Sequence, residues 1–186
     1  MHETRGRVPR GAGATSAFTL IELLVSFSAL LVVLLGFSRM LLSSHMASST
    51  THEATLAKEA ARSMVEVLQG ADIGTAWASY NSDPNDDPGG AGTAPGAGFT
   101  VRGLTAPPDD ADGLAGRIVF PERNGALSEL SSQPQYGWPM DMDGDGDVLT
   151  ADVSTTYRIL PVLVRVEWRG SGGDGVVEFK TVLGGW

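Results

Sequence analysis

Residues 18–42 read FTLIELLVSFSALLVVLLGFSRMLL, and within them Leu23–Ser38 is an uncharged run of 16 residues closed by Glu22 on one side and Arg39 on the other. A helix needs about 20 apolar residues to span a bilayer, and Phe18–Leu42 supplies that length when the two charges sit near the interfaces. The stretch is read as a transmembrane helix. Ahead of it, residues 1–17 carry Arg5, Arg7 and Arg10 against the single acid Glu3, with little else but small residues. Basic residues stay on the cytoplasmic side, so the N-terminus is expected inside and everything after Leu42 exported. A cleaved secretory signal also has a basic leader, but its apolar core is only about 7–15 residues long. Here the run is longer, and Ser43-Ser44-His45-Met46-Ala47 is a poor cleavage sequence.

The helical pattern continues past the membrane. Ala54, Ala57, Ala61, Val65 and Leu68 recur at three- and four-residue spacing, and Leu56, Ala60, Met64 and Val67 widen the apolar face. Lys58, Glu59, Arg62 and Glu66 occupy the other face, with opposite charges three and four residues apart. Gly70 closes the pattern as an expected C′ residue. With no proline between Phe18 and Gly70, the economical reading is one helix of about 52 residues, about 78 Å long. Its first half is apolar all round, and its second half, residues 43–70, is one-sided and expected to lie against a domain formed by residues 71–186.

At Ala17-Phe18-Thr19-Leu20-Ile21-Glu22-Leu23-Leu24-Val25 the junction resembles the signature of type IV pilins and type II secretion pseudopilins, the class III prepilin signal. The resemblance implies that residues 1–17 are a cytoplasmic leader removed by a prepilin peptidase between Ala17 and Phe18, and that Phe18 is then N-methylated. One position departs from the pattern, because Ala17 stands where the family usually has glycine. Alanine is still small enough for a tight peptidase site, so processing is expected. The resemblance also gives Glu22 a role, pairing with the α-amine that cleavage creates on Phe18 of a neighbouring subunit during assembly. The physics agrees, since a carboxylate within an apolar helix costs a few kcal/mol unless it is paired. The bland alternative is a glutamate that reaches the interface by snorkelling.

Composition narrows the class further. The 186 residues carry 13 Lys+Arg against 22 Asp+Glu, a net charge of −9, and no cysteine. An acidic chain is a poor fit to nucleic acid, whose phosphates call for a basic surface, so no direct nucleic-acid partner is expected. The absence of cysteine excludes disulfide scaffolds, thiolate metal sites and cysteine nucleophiles. It also excludes the disulfide-bounded loop of many major pilins, which favours a minor component.

Beyond the helix, residues 82–112 form a Gly/Pro/Asp-rich excursion, longer than most connections in compact domains. Short strands are expected at 98–104 and 116–120. The clearest lie at the end, where Val162, Val164, Val166 and Trp168 alternate with Leu163, Arg165, Glu167 and Arg169. After a turn at Gly170–Gly175, Val177, Phe179, Thr181 and Leu183 alternate with Val176, Glu178, Lys180 and Val182. The resulting hairpin has an apolar face that the amphipathic half of the helix can cover. The expected class is α+β, a long N-terminal helix packed on a small antiparallel sheet. That order is similar to the pilin fold, and the closing strands are similar to minor pilins of the PilV type and minor pseudopilins of the GspI/GspJ type.

The acidic run Asp141-Met142-Asp143-Gly144-Asp145-Gly146-Asp147-Val148-Leu149-Thr150-Ala151-Asp152 has the layout of a twelve-position calcium loop. Carboxylates stand at positions 1, 3 and 5, glycine at 6, an apolar residue at 8 and an acid at 12. With aspartate at the last position it most resembles the dockerin-type loop. The expected ligands are the side chains of Asp141, Asp143, Asp145 and Asp152, the carbonyl of Asp147, and a water near Leu149. Crowded carboxylates repel without a cation, and hard oxygen donors favour Ca²⁺ over transition metals. The flanks are not helical in pattern, so a lone structural Ca²⁺ site is expected rather than a paired sensor.

Other motifs are weak. His45 and His52 lie near one helical face, where contact roles outweigh metal binding, and Trp138, Trp168 and Trp186 read as packing residues. No Ser/His/Asp set, phosphate loop or catalytic carboxylate pair is identifiable. The sequence therefore points to a non-enzymatic subunit whose partners are the prepilin peptidase, other pilin or pseudopilin subunits and the inner membrane. An uncleaved, membrane-anchored calcium-dependent binding module is the alternative.

Overall fold

The computed structural model describes residues 19–184. Ala17 and Phe18, the expected cleavage pair, lie outside them, as does Trp186. The elements are α1 (Leu20–Gln69), α2 (Ile73–Tyr80), β1 (Gly98–Phe99), β2 (Gly116–Val119), β3 (Glu122–Arg123), β4 (Ala126–Leu127), a 3-10 turn at Pro134–Tyr136, β5 (Ile159–Gly170) and β6 (Gly173–Gly184). The chain divides into two units, Met1–Ser44 and His45–Trp186.

In the first unit the described residues are helical from Leu20 onward, every one of them exposed. Thr19 begins the helix, its hydroxyl oxygen accepting the Glu22 N–H at 3.4 Å. Ser28 and Ser38 donate to the carbonyls of Leu24 and Leu34 at 2.8 and 2.9 Å. Two of the helix's hydroxyls thus find their acceptors within the helix itself, an arrangement that suits an apolar surrounding. By length and composition α1 is able to cross a membrane.

The second unit is α+β. Between His45 and Gln69, α1 becomes one-sided as its periodicity predicts: Ala57, Ala61 and Leu68 are buried, with Ala54, Ala60, Met64 and Val65 packed beside them. The Gly70 N–H bonds back to the carbonyls of Glu66 and Val67. Gly70 follows the helix as expected but is not among the glycines with left-handed backbone. Asp72 then restarts the helical path, its carboxylate accepting the Gly74 N–H at 3.0 Å as the N-cap of α2. Helix α2 carries no pattern of its own in the sequence, since its eight residues are too few for a clear helical period.

The main sheet has four strands in the order β1-β2-β5-β6, antiparallel throughout. β5 and β6 pair along their full length, from Ile159 opposite Gly184 to Gly170 opposite Gly173. The turn between them is narrower than the glycine run suggests, because Gly173–Gly175 belong to β6. Leu160, Val162, Val164, Val166 and Trp168 of β5 are buried on the face that also carries Val177, Phe179 and Leu183, as the alternation predicts, and these residues share one core with α1. Each such valine or leucine contributes about 1.5–3 kcal/mol relative to leaving it exposed. Gly175 sits across from Trp168, and a Cβ there would run into the indole ring.

The opposite face is partly covered as well. Trp138, only 3% exposed, lines a shared cavity with Tyr136, Pro161 and Leu163, and the rings of Tyr136 and Trp138 meet edge to face at 5.4 Å. This explains why Leu163 is buried despite facing away from the helix. Of the two shorter strand expectations, 98–104 shrinks to β1 and 116–120 becomes β2. The excursion at 82–112 is built from side chains that cap their own backbone. Asp83 Oδ1 accepts the Asn85 N–H at 2.9 Å, Asp87 Oδ2 the Ala94 N–H at 3.0 Å, and Asp110 Oδ1 the Gly113 N–H at 2.9 Å.

Candidate metal centre

The acidic run lies between the 3-10 turn and β5, plugged into the core at both ends. Met142, 1% exposed, and Val153, fully buried, supply the apolar anchors. The Met142 carbonyl accepts the N–H groups of Arg158 and Ile159 at 2.7 and 3.2 Å, and the Val153 N–H donates to the Leu127 carbonyl at 2.9 Å. Between these anchors the chain winds through successive aspartate-capped turns. Asp141 takes the N–H groups of Gly144 and Gly146 at 2.7 and 3.1 Å. Asp143 takes that of Asp145 at 3.1 Å, Asp145 that of Asp147 at 2.9 Å, and Asp147 that of Leu149 at 2.8 Å. Gly144 and Gly146 have φ of 78° and 97°, the left-handed region where an L side chain is strained.

The centre of the arrangement is a residue from outside the run. Glu129, two residues beyond β4 and 1% exposed, places one carboxylate oxygen on the N–H groups of Met142 and Asp143, at 2.5 and 3.3 Å. Its other oxygen accepts the Thr150 N–H at 3.2 Å, while its own N–H donates to the Thr150 carbonyl at 3.2 Å. It therefore ties the beginning of the run to its end. Carboxylate oxygens of Glu129, Asp141 and Asp143 lie within 4.8 Å of one another, and so do those of Glu129, Asp145 and Asp147. These groups could hold a metal ion.

Of the expected side-chain ligands, Asp141, Asp143 and Asp145 thus lie beside Glu129, and Asp147 joins them through its carboxylate rather than through the expected carbonyl. The remaining expected side chain, that of Asp152, belongs to neither group; its carboxylate caps Ser154, accepting that N–H at 3.0 Å. The Ser154 hydroxyl, and then its N–H, hold the Asp152 carboxyl below the usual carboxylate range. Glu129 carries no sequence signal of the loop type. It stands 12 residues before Asp141 in SELSSQ, and only an isolated acid amid residues bound for the core would mark it.

Donor chemistry fits a hard cation: every candidate ligand is a carboxylate oxygen, and among the described residues none of these acids has an ion-pair partner. The side chain of Arg158 passes beside Gly144 without pairing to them. The remaining residues singled out in the sequence are dispersed. Glu22 is exposed in the first turn of α1, His45 and His52 are exposed, and Trp168 is core. The Trp168 indole N–H points at Glu53 at 3.4 Å, and Glu53 also accepts the Ser171 N–H at 3.2 Å, which fastens the β5–β6 turn to α1. The Ser171 N–H is the main reason that the Glu53 carboxyl is held below its ordinary value.

Comparison of the chain with protein-family models, with curated proteins and with solved structures yields no match.

Proposed function

We propose that the chain is a non-enzymatic, membrane-anchored structural subunit that assembles through its N-terminal helix. More particularly, it is a minor pilin or pseudopilin of a type IV pilus or type II secretion pseudopilus. The observation that carries this reading is α1 itself. Its apolar half opens on FTLIELLV, with Glu22 in the first turn, and its one-sided half packs on a small antiparallel sheet. In this reading a prepilin peptidase removes residues 1–17 at the cytoplasmic face and Phe18 is methylated. The domain beyond Ser44 faces the periplasm, and lateral packing of apolar helices drives assembly. Mass spectrometry of the membrane-extracted protein tests it. A mature chain beginning at methylated Phe18 is expected, whereas an intact Met1 supports the alternative of an uncleaved anchor for a calcium-dependent binding module.

The acidic run is read as a structural Ca²⁺ site. Asp141, Asp143, Asp145 and Asp147, with Glu129 beside them, would supply hard oxygen ligands, and the ion would offset the repulsion among them. Its position, plugged into the core by Met142 and Val153, makes its service one of rigidity. The double substitution Asp143→Ala/Asp145→Ala is expected to abolish the calcium-dependent rise in melting temperature while changing the melting temperature in chelator little. Calorimetry that shows the same calcium response in variant and parent overturns the site.

A further inference from the structure

Residues 130–141 leave the core at Glu129 and return to it at Met142, and the two ends meet. The Met142 N–H donates to the Glu129 carboxylate at 2.5 Å. What lies between is a closed excursion of the Ω-loop kind. Its middle is a turn of its own making: the N–H groups of Tyr136 and Trp138 donate to the Gln133 carbonyl at 2.8 and 3.3 Å, and that of Gly137 to the Pro134 carbonyl at 3.0 Å. Among the described residues no backbone hydrogen bond joins residues 132–141 to β5 or β6.

Side chains at the tip fasten this strap to the sheet. Tyr136 donates its hydroxyl to Glu178 at 3.2 Å. Lys180 donates to the Gln135 carbonyl and stands 5.5 Å from the Tyr136 ring centre. Trp138 and Met140 face Pro161 and Leu163 across a cavity of 130 Å³. Pro161 and Leu163 belong to the alternate set of β5, away from α1, yet both are buried. The strap is what covers them, and it turns Ser132, Pro134 and Gln135 to the outside.

The other fastening is the base, and the base is the candidate metal centre. Glu129 stands at one end of the strap and Asp141 at the other, with carboxylate oxygens within 4.8 Å of each other and of Asp143. Like charges at that separation push the two ends apart, and a divalent ion among them turns the repulsion into a tie. A loop whose ends are already joined loses less entropy when its middle docks. Ion binding at the base and docking of the tip therefore favour one another.

We propose that the metal centre locks this strap. With Ca²⁺ among Glu129, Asp141 and Asp143, residues 130–141 lie closed on the outer face of β5 and β6; when the ion leaves, the strap lifts and uncovers Trp138, Pro161 and Leu163. This rests on the calcium reading of the acidic run and adds what the ion controls, the exchange of a polar outer surface for an apolar one. Coupling of this kind is reciprocal. A loosened tip must weaken calcium binding although it touches none of the carboxylates at the base.

Hydrogen exchange of the full chain in detergent, read in calcium and in EGTA, tests the lock, with calorimetry of calcium binding on the same sample. Peptides covering residues 132–140 are expected to exchange about tenfold faster in EGTA, while those from Ala54–Leu68 of α1 and Val162–Trp168 of β5 change by less than about twofold. In the Asp143→Ala/Asp145→Ala variant, residues 132–140 should no longer respond to calcium. Tyr136→Ala is expected to keep the slow exchange of α1 and β5 and to bind calcium about fivefold more weakly. Calcium bound without any change at residues 132–140 would overturn the lock and leave the site standing, whereas no calcium bound would overturn both. An equal rise in exchange over α1, β5 and the strap, or parental calcium affinity in folded Tyr136→Ala, would also overturn it.

Discussion

Replacing Glu129 by alanine is expected to destabilise the domain by about 2–4 kcal/mol, more than any single aspartate of the acidic run. Hydrogen bonds to a charged group contribute about 1.5–3 kcal/mol each, and a buried donor left without a partner costs about 1–3 kcal/mol. Glu129 serves three N–H groups, of which that of Met142 lies wholly inside. Water entering the space left by the side chain recovers part of the loss at the half-buried Asp143 and Thr150. Glu129→Gln keeps one carbonyl acceptor but turns an NH₂ toward a backbone N–H, so it should fall between parent and alanine variant. Denaturant unfolding of the full chain in detergent reads the effect. A loss under about 1 kcal/mol for Glu129→Ala, below the cost of even one orphaned buried donor, would mean that the run holds its shape without this clasp.

The second large effect concerns Glu22. In the proposed subunit, Glu22→Ala should leave membrane insertion intact, because it removes a charge from an apolar segment and makes that segment easier to insert. Assembly should be lost, since the carboxylate is what a neighbour's α-amine would seek in a medium where unpaired charge is costly. Fractionation gives the first readout, and recovery of sheared filaments, or of secreted protein, gives the second. Normal assembly with alanine at this position would remove the pairing role, and failure to insert would show that Glu22 serves placement in the membrane.

What could be read in advance follows from how local each signal is. The helix, its one-sided second half and the β5–β6 pair were legible because their periods of 3.6 and 2 persist over many residues. Ala57, Ala61 and Leu68 on one element and Val162 to Trp168 on the other are buried where those periods place them. Helix α2 was not legible, because eight residues from Ile73 to Tyr80 are held by the Asp72 cap and by packing of Trp77. Burial of Leu163 was not legible either, since Trp138, 25 positions earlier in the chain, comes to it only through the tertiary fold. The same distinction divides the candidate metal centre. The spacing of Asp141, Asp143, Asp145 and Asp147 is a local pattern on one loop, whereas Glu129 joins them from beyond β4, and the turn at Ser154 that takes Asp152 aside is written in a short-range hydrogen bond rather than in the spacing of acids.

The clasp between Glu53 and Ser171 joins residues 118 positions apart, and the core likewise sets Ala57 and Ala61 of α1 with residues of the final hairpin. The β5–β6 hairpin can form from neighbouring sequence, but the helix has no surface to lie on until that hairpin exists. During synthesis the apolar stripe from Ala54 to Leu68 emerges long before its cover and must wait through more than a hundred further residues. A chain truncated before β5 would lack the strand residues that share the core with that stripe, so quality control acting on exposed apolar surface would register such an incomplete copy.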